Sequence, residues 1–577
     1  MSDIAKTRIA CNLCRRQKIR CDRAKPACEN CRDAGVDCVF TPIPRRKKPR
    51  EQLEENLAYT RQLEESLRSL HRRENDAFPS PIPGLFDSSG FETSLTAFLW
   101  HLQYCTPGVT LNAQLASIFD FNDFAHQLAS SRLPGEEARS TNYALPQWPT
   151  RYVVEQVIGH FATSQLYTIF PILDLESLPS LNSLDPDAGI MNAGDRACLV
   201  AFTAFITRIE HHELAFLHPT PDSYLQAALS LVPQLIMEHT NIRALQALLI
   251  MSLYIAPLGQ PQTAQLLLSM AIRILYNLGG HTIHSSLDSL SPNARRQHEH
   301  LRSLFWLCYS IDKEMSLRKC QAPLIHDADC ILDLPASYKS APSLQPFFTD
   351  QQQSPRQVLF PSDLRLSLFK SKVYQQLYSQ PSLQASVTTR LRIIRELDHE
   401  LHELKAQFPA SYQPETVFET GTSLGLSDAS ARGLNIRAVT VHLEYYHCLT
   451  KIHGASLVGH DVTEESSAPS SLELCYQAAR STLLYLSRMP FLINEETFWI
   501  YAQFLLTAVL ALHYRLITRR RDTSYPHEDL SILKSTLDIF VQMKNKNAES
   551  SSRPFAPFMI TEAFIRYLIN LSCSFNA

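Results

Sequence analysis

The sequence predicts a small amino-terminal module held together by metal, a short coiled coil, and a large all-α domain. Three observations carry that expectation. Six of the 14 cysteines fall within 28 residues, and leucines recur at heptad spacing between Glu51 and Glu74. Beyond residue 150, apolar residues return every three or four positions with no sustained strand alternation. At 577 residues the chain exceeds what one hydrophobic core holds, so several folded units joined by linkers are expected.

Composition narrows the class. With 45% hydrophobic and 19% charged residues, the chain reads neither as a disordered tail nor as a membrane protein. The net charge of −3 hides an asymmetry: residues 1–50 carry 14 Lys and Arg against 5 Asp and Glu, a net +9, leaving −12 for the remainder. The first fifty residues are suited to a polyanion. The start, MSDIAKTRIACNLC, lacks the apolar core of a secretory signal, so a reducing compartment without structural disulfides is expected. The longest uncharged stretch, Thr497 to Tyr514, includes Gln503 and Thr507 and reads as a buried core helix rather than a membrane span.

The amino-terminal cysteines are Cys11, Cys14, Cys21, Cys28, Cys31 and Cys38, spaced C-x2-C-x6-C-x6-C-x2-C-x6-C. The second three repeat the first three at an offset of 17 residues. Soft thiolates in tetrahedral array favour zinc, and a structural zinc takes four ligands. No histidine occurs in residues 1–50. One zinc would strand two thiolates and two separate zincs would need eight, so six suffice for two only if two sulfurs bridge. A pseudo-symmetric zinc binuclear cluster is the expected arrangement; an iron–sulfur centre is the rival, and its common cysteine spacings differ. The other eight cysteines (Cys105, Cys198, Cys308, Cys320, Cys330, Cys448, Cys475, Cys573) are scattered, mostly in apolar runs, and read as small hydrophobes.

Charge separates the two half-repeats. After Cys14 come Arg15, Arg16, Gln17, Lys18, Ile19 and Arg20; after Cys31 come Arg32, Asp33, Ala34, Gly35, Val36 and Asp37. Only the first segment suits phosphates and base edges. Residues 12–20 read as a short helix pinned to the metals, because a helix of that length is marginal alone and zinc binding supplies the folding free energy.

Residues 11–38 resemble the fungal zinc binuclear cluster transcription factors, whose pattern is C-x2-C-x6-C, a loop, then C-x2-C-x6-8-C; Pro26 stands in that loop. The resemblance implies two Zn2+ per chain with Cys11 and Cys28 as the bridging ligands. It implies double-stranded DNA as partner, with Lys18 reading a CGG triplet. Gln17 would lie beside it, with Arg15, Arg16 and Arg20 on phosphates or over the cluster. It further implies a nuclear regulator of RNA polymerase II transcription that works with the transcription machinery or co-regulators.

The basic linker 39–50, VFTPIPRRKKPR, is stiffened by three prolines. Its Arg45, Arg46, Lys47, Lys48 and Arg50 fit a nuclear import signal and fit DNA backbone contact equally well. Residues 51–74 contain no Gly or Pro, and their a and d positions are Leu53, Asn56, Thr60, Leu63, Leu67 and Leu70, a coiled-coil seam for a homodimer. Residues 1–10 are a tail, and the Pro-, Ser- and Gly-rich stretch 75–92 opens a region of linker and first helices reaching 149.

Helical spacing then recurs at 152–166, 193–210, 222–237, 242–255, 261–278, 297–317, 430–452, 470–488, 497–517 and 558–571. Three stretches, YTIFPILDLESL (167–178), GQPQTAQLLLSMAIRILYNLGGH (259–281) and LRSLFWLCYSIDKEMSLRKCQAPLIHDADCILDLP (301–335), resemble the middle homology region of fungal transcription factors. The resemblance covers about 150–400, with a helical region from 401 to 577 following. It departs at Phe305 and Trp306, where members usually carry two tryptophans, and near Cys320, where they carry a glycine. It implies a regulatory domain, with a small-molecule effector as a candidate further partner.

Enzyme motifs fail on inspection. His211, His212, Glu213 and His218 begin like a metalloprotease helix, but Phe216 occupies the second ligand's position. His326, Asp327, Asp329 and Cys330 read as a structural turn. No phosphate-binding glycine loop or nucleophile elbow occurs. The expected function is a DNA-binding regulator of a specific gene set, most naturally an activator. A repressor and a zinc-stabilised interaction scaffold are the alternatives, and the scaffold leaves the +9 charge without a purpose.

Overall fold

The computed structural model describes residues 10–40, 91–103 and most of 145–576, the longer breaks falling at 177–190, 283–290, 339–357, 415–428, 458–468, 519–525 and 551–554. The tail 1–9, the basic run Arg45 to Arg50, the seam Leu53, Leu63, Leu67 and Leu70, Cys105, His212 and His218 lie outside the described residues. The chain forms two units, Met1–Ser80 and Pro81–Ala577. The first contains α1 (Asn12–Gln17) and α2 (Glu29–Asp33). The second is helical, with no strand among the described residues.

In chain order its longer helices are α3 (Phe91–Gln103), α4 (Arg151–Thr163), α5 (Ala193–Ile209), α6 (Pro221–Ser230), α7 (Val232–Met237), α8 (Ile242–Ile255), α9 (Pro261–Asn277) and α10 (Pro292–Lys319). There follow α11 (Leu364–Val373), α12 (Val387–Ala406), α13 (Ala429–Gly454), α14 (Pro469–Arg488), α15 (Phe498–Thr518), α16 (Pro526–Ser550) and α17 (Ala556–Asn576).

Local chemistry starts these helices where they start. Thr150, Asn192, Asn241, Ser291, Asp363 and Ser386 each accept a backbone N–H from the first turn they precede. Pro221, Pro261 and Pro292 occupy opening positions, where a missing N–H costs nothing. The apolar stretch 222–237 reads as one helix but forms two. Pro233 cannot donate to the turn before it, so the chain breaks at Leu231 and restarts as α7.

Two apolar cores result. α4 to α9 and most of α10 enclose the first, around Phe161, Phe202, Tyr254, Leu268 and Trp306. α11 to α17 and α3 enclose the second, around Phe98, Leu397, Tyr445, Tyr501 and Phe564. α10 serves both, contributing Leu304 to Tyr309 to the first and Leu317 to the second. The Phe305 and Trp306 rings meet edge to face at 5.3 Å, and the Arg302 guanidinium lies 4.4 Å over Phe305. Gly259 has φ +74°, and a Cβ there would fall 2.6 Å from the Trp499 ring, so only glycine lets this turn approach α15.

Residues Phe498–Ile517 have the length and apolarity of a membrane span, yet 83% of that window is buried inside the helical unit. Two of its polar side chains find partners there. Gln503 bonds the His101 ring at 3.1 Å, and His513 bonds Ser572 at 2.9 Å. α15 is therefore a core helix.

Polar side chains join α10, α11 and α13. Lys370 is 1% exposed and lies between Glu444, at 2.8 Å, and Glu314, which also pairs with Arg318 at 2.5 Å. Burial works against the Lys370 charge, but the two carboxylates hold it above the ordinary lysine range. Replacing Lys370 with Met should cost about 3–5 kcal/mol at neutral pH by leaving buried Glu444 without its cation and Glu314 with Arg318 alone, read from the denaturation midpoint. On α12, Asp398 meets the His453 ring at 3.2 Å, and this hydrogen bond holds its carboxyl below the usual range. A depressed carboxyl contributes stability above its unfolded value of about 3.9, which is lost as pH falls through the folded value. Denaturation curves of Asp398→Asn and wild type should thus differ at neutral pH and converge below about pH 4.

Candidate metal centre and basic face

Residues 10–40 fold around sulfur. Their buried side chains are Cys11, Cys14, Cys28 and Cys31, with Cys21 and Cys38 packed against them. The 17-residue repeat is carried into the main chain. Cys11 and Cys28 take extended conformations just before α1 and α2, and the Cys11 sulfur accepts the Cys14 N–H at 3.5 Å. Arg15 N–H bonds Cys11 O at 2.9 Å and Arg32 N–H bonds Cys28 O at 3.0 Å; Ile19 to Cys14 and Val36 to Cys31 are both 3.0 Å.

The sulfurs form two groups of four: Cys11, Cys14, Cys21, Cys28, and Cys11, Cys28, Cys31, Cys38. Ligand atoms in each lie within 4.8 Å of one another, and Cys11 and Cys28 belong to both. Separations are 3.6 Å for Cys11–Cys28, 3.5 Å for Cys11–Cys31 and 3.7 Å for Cys14–Cys28. Four thiolates about 2.3 Å from one tetrahedral zinc stand about 3.8 Å apart, so the donor set fits that ion. Burial pushes the Cys14 thiol up to about 12 and raises Cys28 and Cys31, while the Cys14 backbone N–H brings Cys11 down to about 6. A bound divalent cation reverses the cost of ionising such sulfurs.

The segment expected to be helical over 12–20 is shorter. α1 ends at Gln17, and Lys18 turns left-handed at φ 56°. Lys18 N–H returns to Arg15 O and Ile19 N–H to Cys14 O, a Schellman closure. Gly35, its counterpart 17 residues on, has φ 65°. Lysine thus holds a backbone position that the sister repeat gives to glycine. That pairing was visible in the sequence offset, and periodicity alone missed it.

Arg15, Arg16, Gln17, Lys18, Ile19 and Arg20 are all exposed, so the basic segment forms one solvent-facing strip. The corresponding surface after Cys31 exposes Asp33 and Asp37. Two residues that pattern reading passed over tie the halves together. Asp22 accepts the Glu29 N–H at 3.1 Å, and Asn30 donates to Arg20 O at 2.9 Å.

Asp327, from the acidic turn singled out in the sequence, has structural partners. Asp327 accepts from Tyr309 at 3.1 Å, Ser371 at 2.7 Å and Gln375 at 3.1 Å, and pairs with Lys313 at 3.1 Å, so it clasps the turn to α10 and α11. Among the described residues, the two cysteine groups are the sets of three or more ligands placed to hold a metal ion.

Two family models match the chain. The fungal Zn(2)-Cys(6) binuclear cluster domain covers residues 9–48, and the fungal specific transcription factor domain covers 165–406. Both matched models are domains of the fungal Zn(2)-Cys(6) transcription factors. This is a family of regulators, not of enzymes, and its cluster domain makes the six close cysteines zinc-binding. An ABC-transporter-regulating transcription factor of Aspergillus oryzae is 32% identical over 234 residues, 41% of this chain and 24% of the relative. An uncharacterized transcriptional regulatory protein of Schizosaccharomyces pombe is 22% identical over 524 residues, 82% of this chain and 65% of that one. The depudecin biosynthesis cluster-specific transcription activator of Fusarium langsethiae is 48% identical over 48 residues, 8% of each chain. The matched segment thus spans about a quarter of the length of the Aspergillus relative.

The cluster unit of this zinc cluster factor buries cysteines where the helical unit buries apolar residues. Chelator should therefore open residues 10–40 to protease while the helical unit stays resistant and the far-ultraviolet helix signal holds. Equal loss of both units would contradict this division.

Proposed function

We propose that this zinc cluster factor is a sequence-specific DNA-binding regulator of RNA polymerase II transcription in the nucleus. Two zinc ions share the bridging sulfurs of Cys11 and Cys28, and Cys14, Cys21, Cys31 and Cys38 complete their tetrahedra. The observation that carries the reading is the unequal charge of two halves built on one backbone plan. The metal-held repeat sets six consecutive exposed residues, four of them cationic, on one side only.

Such a strip releases counterions when it meets the DNA backbone, which supplies affinity without sequence preference. Preference comes from base edges. Lys18, at the tip of the closed turn, reaches the O6 and N7 acceptors of guanine in a CGG triplet, with Gln17 beside it. Arg15, Arg16 and Arg20 meet phosphates. Arg45, Arg46, Lys47, Lys48 and Arg50 serve nuclear import, backbone contact, or both, and the Leu53, Leu63, Leu67, Leu70 seam pairs two chains on paired triplets. In the proposed division, 11–38 binds DNA, 39–50 links, 51–74 dimerises, and the middle homology region at about 150–400 and the helical region 401–577 regulate and meet co-regulators or an effector.

Activation of a specific gene set is favoured over repression, because a cluster-specific transcription activator is among the relatives, 48% identical over 48 residues. The test is a gel shift of the full chain on DNA carrying paired CGG triplets, with elemental analysis expected to return two zincs per chain. Lys18→Ala should weaken the specific complex by about 1–3 kcal/mol and lose discrimination against a scrambled triplet. Arg16→Ala should flatten the salt dependence and leave discrimination intact. Undiminished recognition by the metal-free chain would sink the proposal.

A further inference from the structure

The two halves of the cluster match in their main-chain bonds but not in the ties between them. Asn30 lies in α2, one residue before the ligand Cys31, and is half-buried. Its Nδ2 donates to the Arg20 carbonyl at 2.9 Å and to the Cys14 sulfur at 3.6 Å. Both partners are acceptors, so only the NH2 edge of the carboxamide can satisfy them. The residue 17 positions earlier is Leu13, which has no side-chain donor to return the contact. The tie therefore runs one way, from the acidic half to the basic half.

Its two ends fall on two ligands of the same four-sulfur group. One is the sulfur of Cys14; the other is the peptide that leads into Cys21. Arg20 is also the last residue of the basic strip. A single carboxamide thus grips the metal-binding sulfur at the start of that strip and the backbone at its end. Asp22 adds a separate restraint. Its two carboxylate oxygens accept the Glu29 N–H at 3.1 and 3.2 Å, which caps α2 without touching sulfur.

We propose that Asn30 is a positioning residue: it holds the basic strip between Cys14 and Arg20 in register with the metal group, and its N–H···S bond draws charge from the Cys14 thiolate. The inference rests on the zinc and DNA reading above. Hydrogen bonds to a ligating group orient it and tune its donor strength, and their removal commonly costs 10–100-fold in metal affinity. A leucine or alanine in place of Asn30 would keep all six sulfurs and lose both effects.

The test uses the full-length chain in four forms: wild type, Asn30→Ala, Asn30→Asp and, as a control for loosening of α2, Asp22→Ala. Three readouts apply: zinc transfer to a chromogenic chelator, the thiolate-to-metal charge-transfer band after cobalt(II) substitution, and DNA affinity. Asn30→Ala should bind zinc as purified, surrender it on the order of 10-fold faster, and move the cobalt band to longer wavelength as the sulfur regains charge. DNA affinity should fall with it. Asn30→Asp, the same size but without donors, should behave like Asn30→Ala or worse, and Asp22→Ala should leave the band in place. If Asn30→Ala does not retain zinc, Asn30→Gln decides, because it keeps the NH2 edge and should load metal where Asn30→Asp fails. A wild-type band and transfer rate in Asn30→Ala would overturn the inference, as would an equal band shift in Asp22→Ala. A wild-type chain that binds zinc and ignores DNA would defeat the functional reading instead, while the zinc and cobalt measurements still judge Asn30.

Discussion

Thiolates packed within 4.8 Å of one another repel unless a cation lies among them, and that single requirement organises the amino-terminal unit. Residues 10–40 have no aliphatic core; what they bury is cysteine. Metal coordination therefore replaces the hydrophobic effect as the cohesive term, which is how so short a segment becomes rigid. The 6-residue α1 would not persist alone in water. Held at Cys11 and Cys14, it presents its arginines in a constant arrangement.

Symmetry of backbone and asymmetry of side chains do different things in this unit. The 17-residue repeat places two equivalent loops of sulfur ligands around shared thiols, and the chemistry of the intervening residues assigns the loops different duties. One carries Arg15, Arg16, Lys18 and Arg20 to solvent; the other carries Asp33 and Asp37. The left-handed turn that closes each loop is glycine in the acidic half and lysine in the basic half. A lysine in that conformation is uncommon and costs energy that the closure and the metal must offset. The strain lies at the residue that the functional reading places on the bases.

The helical unit solves a separate problem with separate means. Two apolar cores share α10, and the polar groups where α10, α11 and α13 meet are buried rather than solvated. An ionic cluster of Lys370, Glu314, Glu444 and Arg318 is less forgiving than aliphatic packing, since each member is stable only with the others present. Asp327 similarly ties the turn after α10 to Ser371 of α11. These contacts restrict how α10 and α11 can lie against each other more sharply than apolar contacts would.

Much of this architecture was legible in the amino-acid order. Cysteine spacing is nearly a coordination formula, and apolar periodicity marked most helices near their observed positions. The sequence reading passed over α11, α12 and α16, although α12 carries an apolar stripe through Ile394, Leu397, Leu401 and Leu404, and it ran α6 and α7 together across Pro233. By itself the sequence determined the metal-binding chemistry, the charge division between half-repeats and the helical class, because each depends on residue type at short spacing. Tertiary structure alone decided that Asn30 reaches the Cys14 sulfur and that Lys370 lies between two buried carboxylates. Those features depend on where distant segments converge in space, and no local pattern encodes that distance.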